Sequence, residues 1–281
     1  MPTSSSVTQA RLAFGRRLRR LREDRGISAR ELARRCGWHE SKCSRIENGH
    51  AAASPETIEA WARACGAEAL IGELVEAARG IEGMYVEWRE MERAGLRQAQ
   101  DSVRVLWGRT KRFKAYAQNL IPGPLQTPEY TRAALDGIRK RRDLPDDVEA
   151  AVAVRAERQA VLDDPAKAFH VVLEEGVLYR RIGPPELMTD QLARLIQLSV
   201  LPHVRLGIIP RDADRSLMPP VEDFWVFDER QVNVELVSAY LTVKQNHEIK
   251  LYTGDFQRLS DLAEHGGPVF ARIASALNSY S

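Results

Sequence analysis

Apolar residues in the first 80 positions recur at helical spacing in five short bursts, each closed by a glycine. Phe14, Leu18 and Leu21 fall at i, i+4 and i+7 and share one face, which predicts a helix over residues 10–24 that ends at Gly26. Leu32, Ala33 and Cys36 form the inner face of a second helix, and Gly37 ends it after two turns. Its start, Ser28-Ala29-Arg30-Glu31, has the pattern of a capping box, in which the serine hydroxyl accepts from the Glu31 N–H and the glutamate reaches back. Trp38 or His39 precedes a third helix over residues 40–48, with Cys43 and Ile46 inward and Asn48-Gly49 as its stop. Ser54-Pro55-Glu56 opens a fourth helix carrying Ile58, Trp61, Ala62 and Cys65. A fifth carries Leu70, Leu74 and Ala78 and ends at Gly80. The pattern predicts an all-α, five-helix head over residues 8–79.

Beyond residue 80 the periodicity changes. Residues 84–100 read as a helix with Tyr85, Trp88, Met91 and Leu96 as apolar points, and residues 111–120 as a strand. Ile121-Pro122-Gly123-Pro124-Leu125 reads as irregular, because its two prolines fix their own φ and lack donors. Thr127-Pro128-Glu129 starts a helix through about residue 140, and residues 145–162 give another. Residues 169–174, 204–209 and 223–227 read as strands, and Val232, Val234 and Leu236 alternate as in a half-buried strand. Helices over residues 187–199, 246–263 and 269–280 complete an α+β domain spanning residues 80–281, large enough for its own core.

The 281-residue chain has a net charge of +2, but the distribution is uneven: residues 1–50 balance at +7 and the remainder at −5. A basic head on a mildly acidic body points to an anionic partner for the head alone, and double-stranded DNA fits best. No apolar run approaches the ~20 residues of a membrane span, and residues 1–10 lack the apolar core of a secretory leader, so the expectation is a cytoplasmic protein with no membrane partner. Cys36, Cys43 and Cys65 form no Cys-x-x-Cys pair, and Cys36, His39 and Cys43 are one ligand short of a tetrahedral site. No metal and no cofactor is expected. His170, His203, His247 and His265 are scattered, and Glu174-Glu175, adjacent on a strand, point to opposite faces. A self-cleaving arrangement needs a scissile bond, which Ala94-Gly95 offers, a nucleophile in Ser216 and a base in Lys244, but nothing around them supports those roles. The chain therefore reads as a non-enzyme. Tyr116, Tyr130, Tyr179, Phe224, Trp225 and Tyr240 are candidates for either a ligand pocket or the core of the second domain.

Two short helices joined by a tight turn are how a second helix is held for insertion into the ~12 Å major groove. Glu40, Ser41, Lys42, Ser44 and Arg45 give the third helix polar side chains facing away from Cys43 and Ile46. Arg45 suits guanine O6 and N7, Lys42 guanine or phosphate, Glu40 the cytosine N4 amine, and Ser41 is permissive. One such helix reads too few bases for tight selection. The expected form is therefore a homodimer with its helices ~34 Å apart on a near-palindromic operator.

Residues 28–49, SARELARRCGWHESKCSRIENG, resemble the Xre and lambda-repressor type of helix-turn-helix over about residues 11–65. The shared features are the Leu-Ala of the second helix, the turn glycine and the closing Ser-Arg-Ile-Glu-Asn-Gly. The resemblance implies that Glu40, Ser41, Lys42 and Arg45 read bases. It also implies that Asn48 and the start of the second helix near Ser28 touch phosphate, and that Arg22 pairs with Glu47. Arg30, Ser44 and Arg19 are further candidates for backbone contact. Trp38-His39 departs from the small polar residues usual there. In the second domain, Asn119-Leu120-Ile121-Pro122-Gly123-Pro124-Leu125-Gln126-Thr127-Pro128-Glu129-Tyr130 resembles a segment of actinobacterial regulators that follow such a head with a domain of unassigned role; Pro124 replaces a leucine. The spacing to Arg155-Ala156-Glu157-Arg158-Gln159 fits as well. That resemblance implies an antitoxin-like protein with a small protein partner from an adjacent gene. Apart from the resemblance, the second domain is expected to supply dimerisation and a signal input, from a protein partner or a small-molecule effector.

Overall fold

The computed structural model describes residues 5–82, 85–87, 91–93, 95–237 and 239–280, and the chain divides into two compact units, residues 1–86 and 87–281. In the first unit, α1 (Ser5–Glu23), α2 (Ala29–Cys36), α3 (Glu40–Glu47), α4 (Pro55–Ala64) and α5 (Ile71–Glu82) follow one another, with a single 3₁₀ turn at Glu68–Leu70. Gly80 lies inside α5 rather than ending it; a helical glycine costs only ~1 kcal/mol, which the flanking turns absorb. Leu18, Leu32, Cys43, Ile46, Ile58, Trp61 and Leu74 form the core, each at most 2 % exposed. The indole N–H of Trp61 donates to the Leu18 carbonyl at 3.1 Å, so the largest core side chain also leaves no orphaned donor. A Cβ on Gly15 would lie 2.3 Å from the Ile46 carbonyl oxygen and 2.6 Å from that of Glu47, so α1 and α3 approach as only glycine permits.

The second unit departs from expectation at its start. Tyr85–Glu87 is a short strand, β1, at the boundary of the units, and helix α6 covers only Leu96–Asp101. Gly95 sits at φ 100° and the Asp147 carboxylate accepts from the Leu96 and Arg97 N–H groups at 3.0 and 2.9 Å. That cap comes from 50 residues away, where local periodicity cannot register it. Trp88 and Ala94, which fall in the helix expected there, lie outside the described residues.

Next come α7 (Arg104–Arg109), β2 (Arg112–Ala117), α8 (Pro128–Arg142), α9 (Val148–Gln159), β3 (Ala168–Glu174), α10 (Pro185–Ser199) and β4 (Val204–Ile209). They are followed by β5 (Phe224–Phe227), β6 (Gln231–Glu235), β7 (Ala239–Val243), α11 (Asn246–Leu262), β8 (Glu264–His265) and α12 (Gly267–Asn278). The proline-rich loop holds one 3₁₀ turn, Gly123–Leu125, because the fixed φ of proline suits the first turn of a helix. The strand expected to include Leu236 ends at Glu235, and the chain returns as β7 with Val234 opposite Leu241.

Among the described residues of this unit, the strands run in the order β7-β6-β5-β2-β3-β4-β8. The three central strands β2, β3 and β4 are parallel and the others antiparallel. Residues 115–117 of β2, 171–173 of β3 and 206–209 of β4 are unbroken runs of buried apolar residues and glycine, as segments covered on both faces must be. Phe113 and Phe169, paired in register, stack with ring centroids 4.4 Å apart. The architecture is thus an all-α head followed by an α+β domain. Among the described residues no helix is long and apolar enough to cross a membrane, and no three His, Cys, Asp or Glu side chains are grouped to hold a metal ion.

Candidate nucleic-acid interface

The interface is built from the α2–turn–α3 segment. Ser28, with extended backbone (φ −73°, ψ 158°), accepts the Glu31 N–H at 3.1 Å and so starts α2. The reciprocal arm of the expected capping box is missing. The Glu31 carboxylate instead accepts from Arg34 (Nε 2.8 Å, Nη2 2.7 Å) and Arg35 (Nε 2.8 Å). Charge-assisted bonds to two guanidiniums outcompete a neutral N–H, and these arginines hold the Glu31 carboxyl at about 2. The cap thus rests on the hydroxyl alone. Ser28→Ala is expected to cost about 1 kcal/mol. Thermal melting should show this as a downshift of a few degrees; an unchanged midpoint would show that the cap contributes nothing.

Gly37 (φ 68°) ends α2 in the left-handed conformation, with its own N–H on Arg34 O (3.3 Å) and the Trp38 N–H on Ala33 O (2.8 Å). His39, not Trp38, caps α3. Its Nδ1 accepts from the Ser41 N–H at 3.3 Å and lies 2.8 Å from the Ser41 hydroxyl. Of the two residues expected to precede this helix the structure selects His39; the signal in the sequence is a ring nitrogen two positions before a serine at a helix start. Trp38 is half-buried against Trp61, ring centroids 6.2 Å apart, and the Lys42 ammonium lies 4.2 Å from the centroid of its ring. The bulky Trp38-His39 pair therefore anchors the first turn of α3.

Along α3, Cys43, Ile46 and Glu47 are buried, Lys42 is half-buried, and Glu40, Ser41, Ser44, Arg45 and Asn48 are exposed. Among the described residues the Glu40 and Arg45 side chains make no ion pair, and neither does exposed Arg30. Asn48 donates to the Ser44 carbonyl at 2.8 Å, and Arg19 donates to Glu23 at 2.7 Å, so those two groups are engaged within the protein. Burial pushes the Cys43 thiol up to about 11, consistent with a small apolar core residue.

Behind this face, Arg22 and Glu47 form a bidentate pair: Nε to Oε1 at 2.7 Å and Nη2 to Oε2 at 3.0 Å, each residue 6 % exposed. Arg22 also donates to Ile27 O at 2.7 Å. The pair joins the last turn of α1 to the last turn of α3, and with the Gly15 contact it sets the angle at which α3 is presented.

Residues 13–77 match a family described as a helix-turn-helix domain. Residues 108–273, more than half of the chain, match the family described as a domain of unknown function, DUF5753. The chain belongs to the DUF5753 family. A comparison with curated proteins found no match.

Within the DUF5753 region the structure brings together segments that are 29 residues or more apart. Arg155 donates to Gln126 Oε1 at 3.0 Å, and Gln159 to the Gly123 and Gln126 carbonyls at 2.7 and 3.0 Å. Gln191 accepts the Thr127 N–H at 2.7 Å and donates to Leu125 O at 2.9 Å. The proline-rich loop is therefore pinned by glutamine and arginine side chains. Glu174 accepts from Tyr116 (2.7 Å) and Arg215 (2.6 Å), and Glu175 from Arg272 (2.9 Å), so the adjacent carboxylates serve separate clusters. The Ser216 hydroxyl donates to Asp214 at 2.5 Å, Lys244 is exposed, and Ala94 of the weighed scissile bond is not among the described residues. The rings of His170 and His265, 95 positions apart in the chain, lie 5.7 Å apart, with Ser260 Oγ 3.2 Å from His170 Nε2.

Proposed function

We propose that the protein is a sequence-specific transcriptional regulator of the Xre type, reading a near-palindromic operator as a homodimer. The observation that carries this reading is the division of α3: Cys43, Ile46 and Glu47 are locked into the core while Glu40, Ser41 and Arg45 face outward, unencumbered by ion pairs. A helix held this way and two turns long fits the major groove. Arg45 takes guanine O6 and N7, Glu40 a cytosine amine, Ser41 either edge, and Lys42, stacked on Trp38, a base or phosphate near the helix start. Ser28, Arg30, Ser44, Asn48 and Arg19 lie along the backbone. Arg30 is the readiest of these, because Arg19 must leave Glu23 to reach a phosphate. The second unit dimerises the protein and receives the signal that shifts it between DNA-competent and incompetent arrangements.

Selection of bound fragments from random duplex DNA tests the reading. A single enriched, two-fold symmetric site is expected, and the absence of any enriched sequence would overturn it. Binding to that site should weaken with salt along a log–log slope of about −0.9 per phosphate contacted. A flat salt dependence in a filter-binding titration would exclude a phosphate-tracking interface.

A further inference from the structure

A cavity of about 120 Å³ opens within the second unit, between the helical layer α6–α9 and the strands β5–β7. At the ~30 Å³ that a water takes up in the liquid, this is room for about four waters, the size of a small organic molecule. Arg155 and Arg158, one turn apart on α9, both line it. Their hydrogen-bond partners are neutral. Arg155 donates to Gln100 Oε1 and Gln126 Oε1, each at 3.0 Å, and Arg158 to the Gln100 carbonyl and Oε1, each at 3.1 Å. Among the described residues neither guanidinium has a carboxylate within ion-pair distance. Half-buried guanidiniums normally have a carboxylate in contact; here two share one wall with none, and Glu235 on the same cavity acts on both only at longer range. Burial, with the Arg158 charge beside it, pulls Arg155 down to about 10, still cationic at neutral pH. The third arginine on the cavity, Arg142, is by contrast matched by Glu92 at 2.5 Å.

The rest of the wall defines what fits. Trp107 and Trp225 meet edge to face, 4.8 Å between centroids, and the Arg158 guanidinium lies 5.3 Å from the Trp107 ring centre. Tyr240, whose hydroxyl accepts from Asn233, completes the apolar side. The remaining carboxylate on the cavity is the exposed Glu235, so three arginines face two glutamates and one positive charge is left over. That surplus favours a monoanion; a phosphate dianion would also meet Glu235. Of the aromatic residues expected to choose between pocket and core, Trp225 and Tyr240 border this cavity, while Tyr116, Tyr130 and Phe224 are at most 1 % exposed in the core.

We propose that this cavity binds a small monocarboxylate with an apolar body, its carboxylate held between Arg155 and Arg158 and its body against Trp107 and Trp225. The proposal gives chemical form to the signal input of the regulator described above, but its binding test does not depend on DNA. Benzoate, phenylacetate and hexanoate are titrated into the full-length protein, followed by tryptophan fluorescence and thermal melting. Methyl benzoate, phenethylamine and inorganic phosphate serve as comparators.

Saturable binding of at least one carboxylate is expected, with methyl benzoate and phenethylamine weaker by about tenfold or more, because a charge-assisted guanidinium pair is lost. R155Q and R158Q should each weaken that carboxylate by about tenfold or more, and R158K should restore part of the loss. Should the glutamine variants fail to fold, the wild-type contrast between benzoate and its ester still decides. No saturation by any of the three carboxylates at about 10 mM, equal binding of the ester, or binding of phosphate alone would overturn the proposal. Duplex retardation in the absence of carboxylate is measured in parallel. If retardation persists while carboxylate binding fails, only this inference falls; if carboxylates bind while no duplex is retarded, only the regulator reading falls.

Discussion

Glu47→Ala is expected to destabilise the first unit by about 3–5 kcal/mol, the usual cost of removing one partner from a buried pair. The magnitude comes from what is left behind. Arg22 is 6 % exposed, and two of its three hydrogen-bond contacts within the unit go to Glu47; the alanine variant keeps the Ile27 carbonyl and a long contact to half-exposed Glu23 (3.7 Å), and loses the bidentate carboxylate. Water cannot reach the guanidinium without opening the α1–α3 contact, which Gly15 holds at backbone distance. Replacing both partners, Arg22→Met with Glu47→Leu, should cost much less, since no charge is then stranded. Amide hydrogen exchange is the suitable measurement, because it separates the two units. Protection should drop across α1 to α4 in the single variant while β3 and β4 keep theirs. Protection and melting equal to wild type would show that the pair carries no net stability.

Arg45→Ala should cost the preferred operator about 1–3 kcal/mol while changing affinity for unrelated duplexes little. Arg45 is exposed on the face opposite Cys43 and Ile46 and makes no ion pair among the described residues, so its removal leaves the head intact and deletes a potential bidentate contact. The loss should be confined to one base pair per half-site: repeated selection with the variant should return a site degenerate at that position alone. Arg30→Ala provides the contrast, a uniform weakening across sequences with the salt slope reduced by about one phosphate's worth. A selected site identical to the wild-type site would remove Arg45 from base reading.

Much of the head was legible because its determinants are local. Three of the glycines, Gly26, Gly37 and Gly49, take φ near +70° where helices end, and Ser28 and Ser54 cap the helices they precede. The inward stripe of Cys43 and Ile46 follows from helical period alone. What was misjudged there turned on competition between side chains. Glu31 had the spacing for a capping box, but Arg34 and Arg35 lie one turn on and take its carboxylate. In the second unit the strands were visible as apolar runs, but β7 was missed because its partner strand was carried too far, and the helix expected at residues 84–100 is not continuous among the described residues, because Tyr85–Glu87 is a strand and Asp147, distant in sequence, starts a new helix at Leu96.

The amino-acid order by itself determined which segments coil, where they stop, and that a basic helical head precedes a larger mixed domain, because capping, periodicity and charge balance are properties of neighbouring residues. The tertiary structure decided which side chains meet: Arg22 with Glu47, a pairing that the family resemblance had implied, Gln126 with Arg155, and two tryptophans with two guanidiniums that no carboxylate contacts around one cavity. Those meetings join residues 25 to 118 positions apart, and their geometry depends on how whole elements pack, which no local pattern encodes.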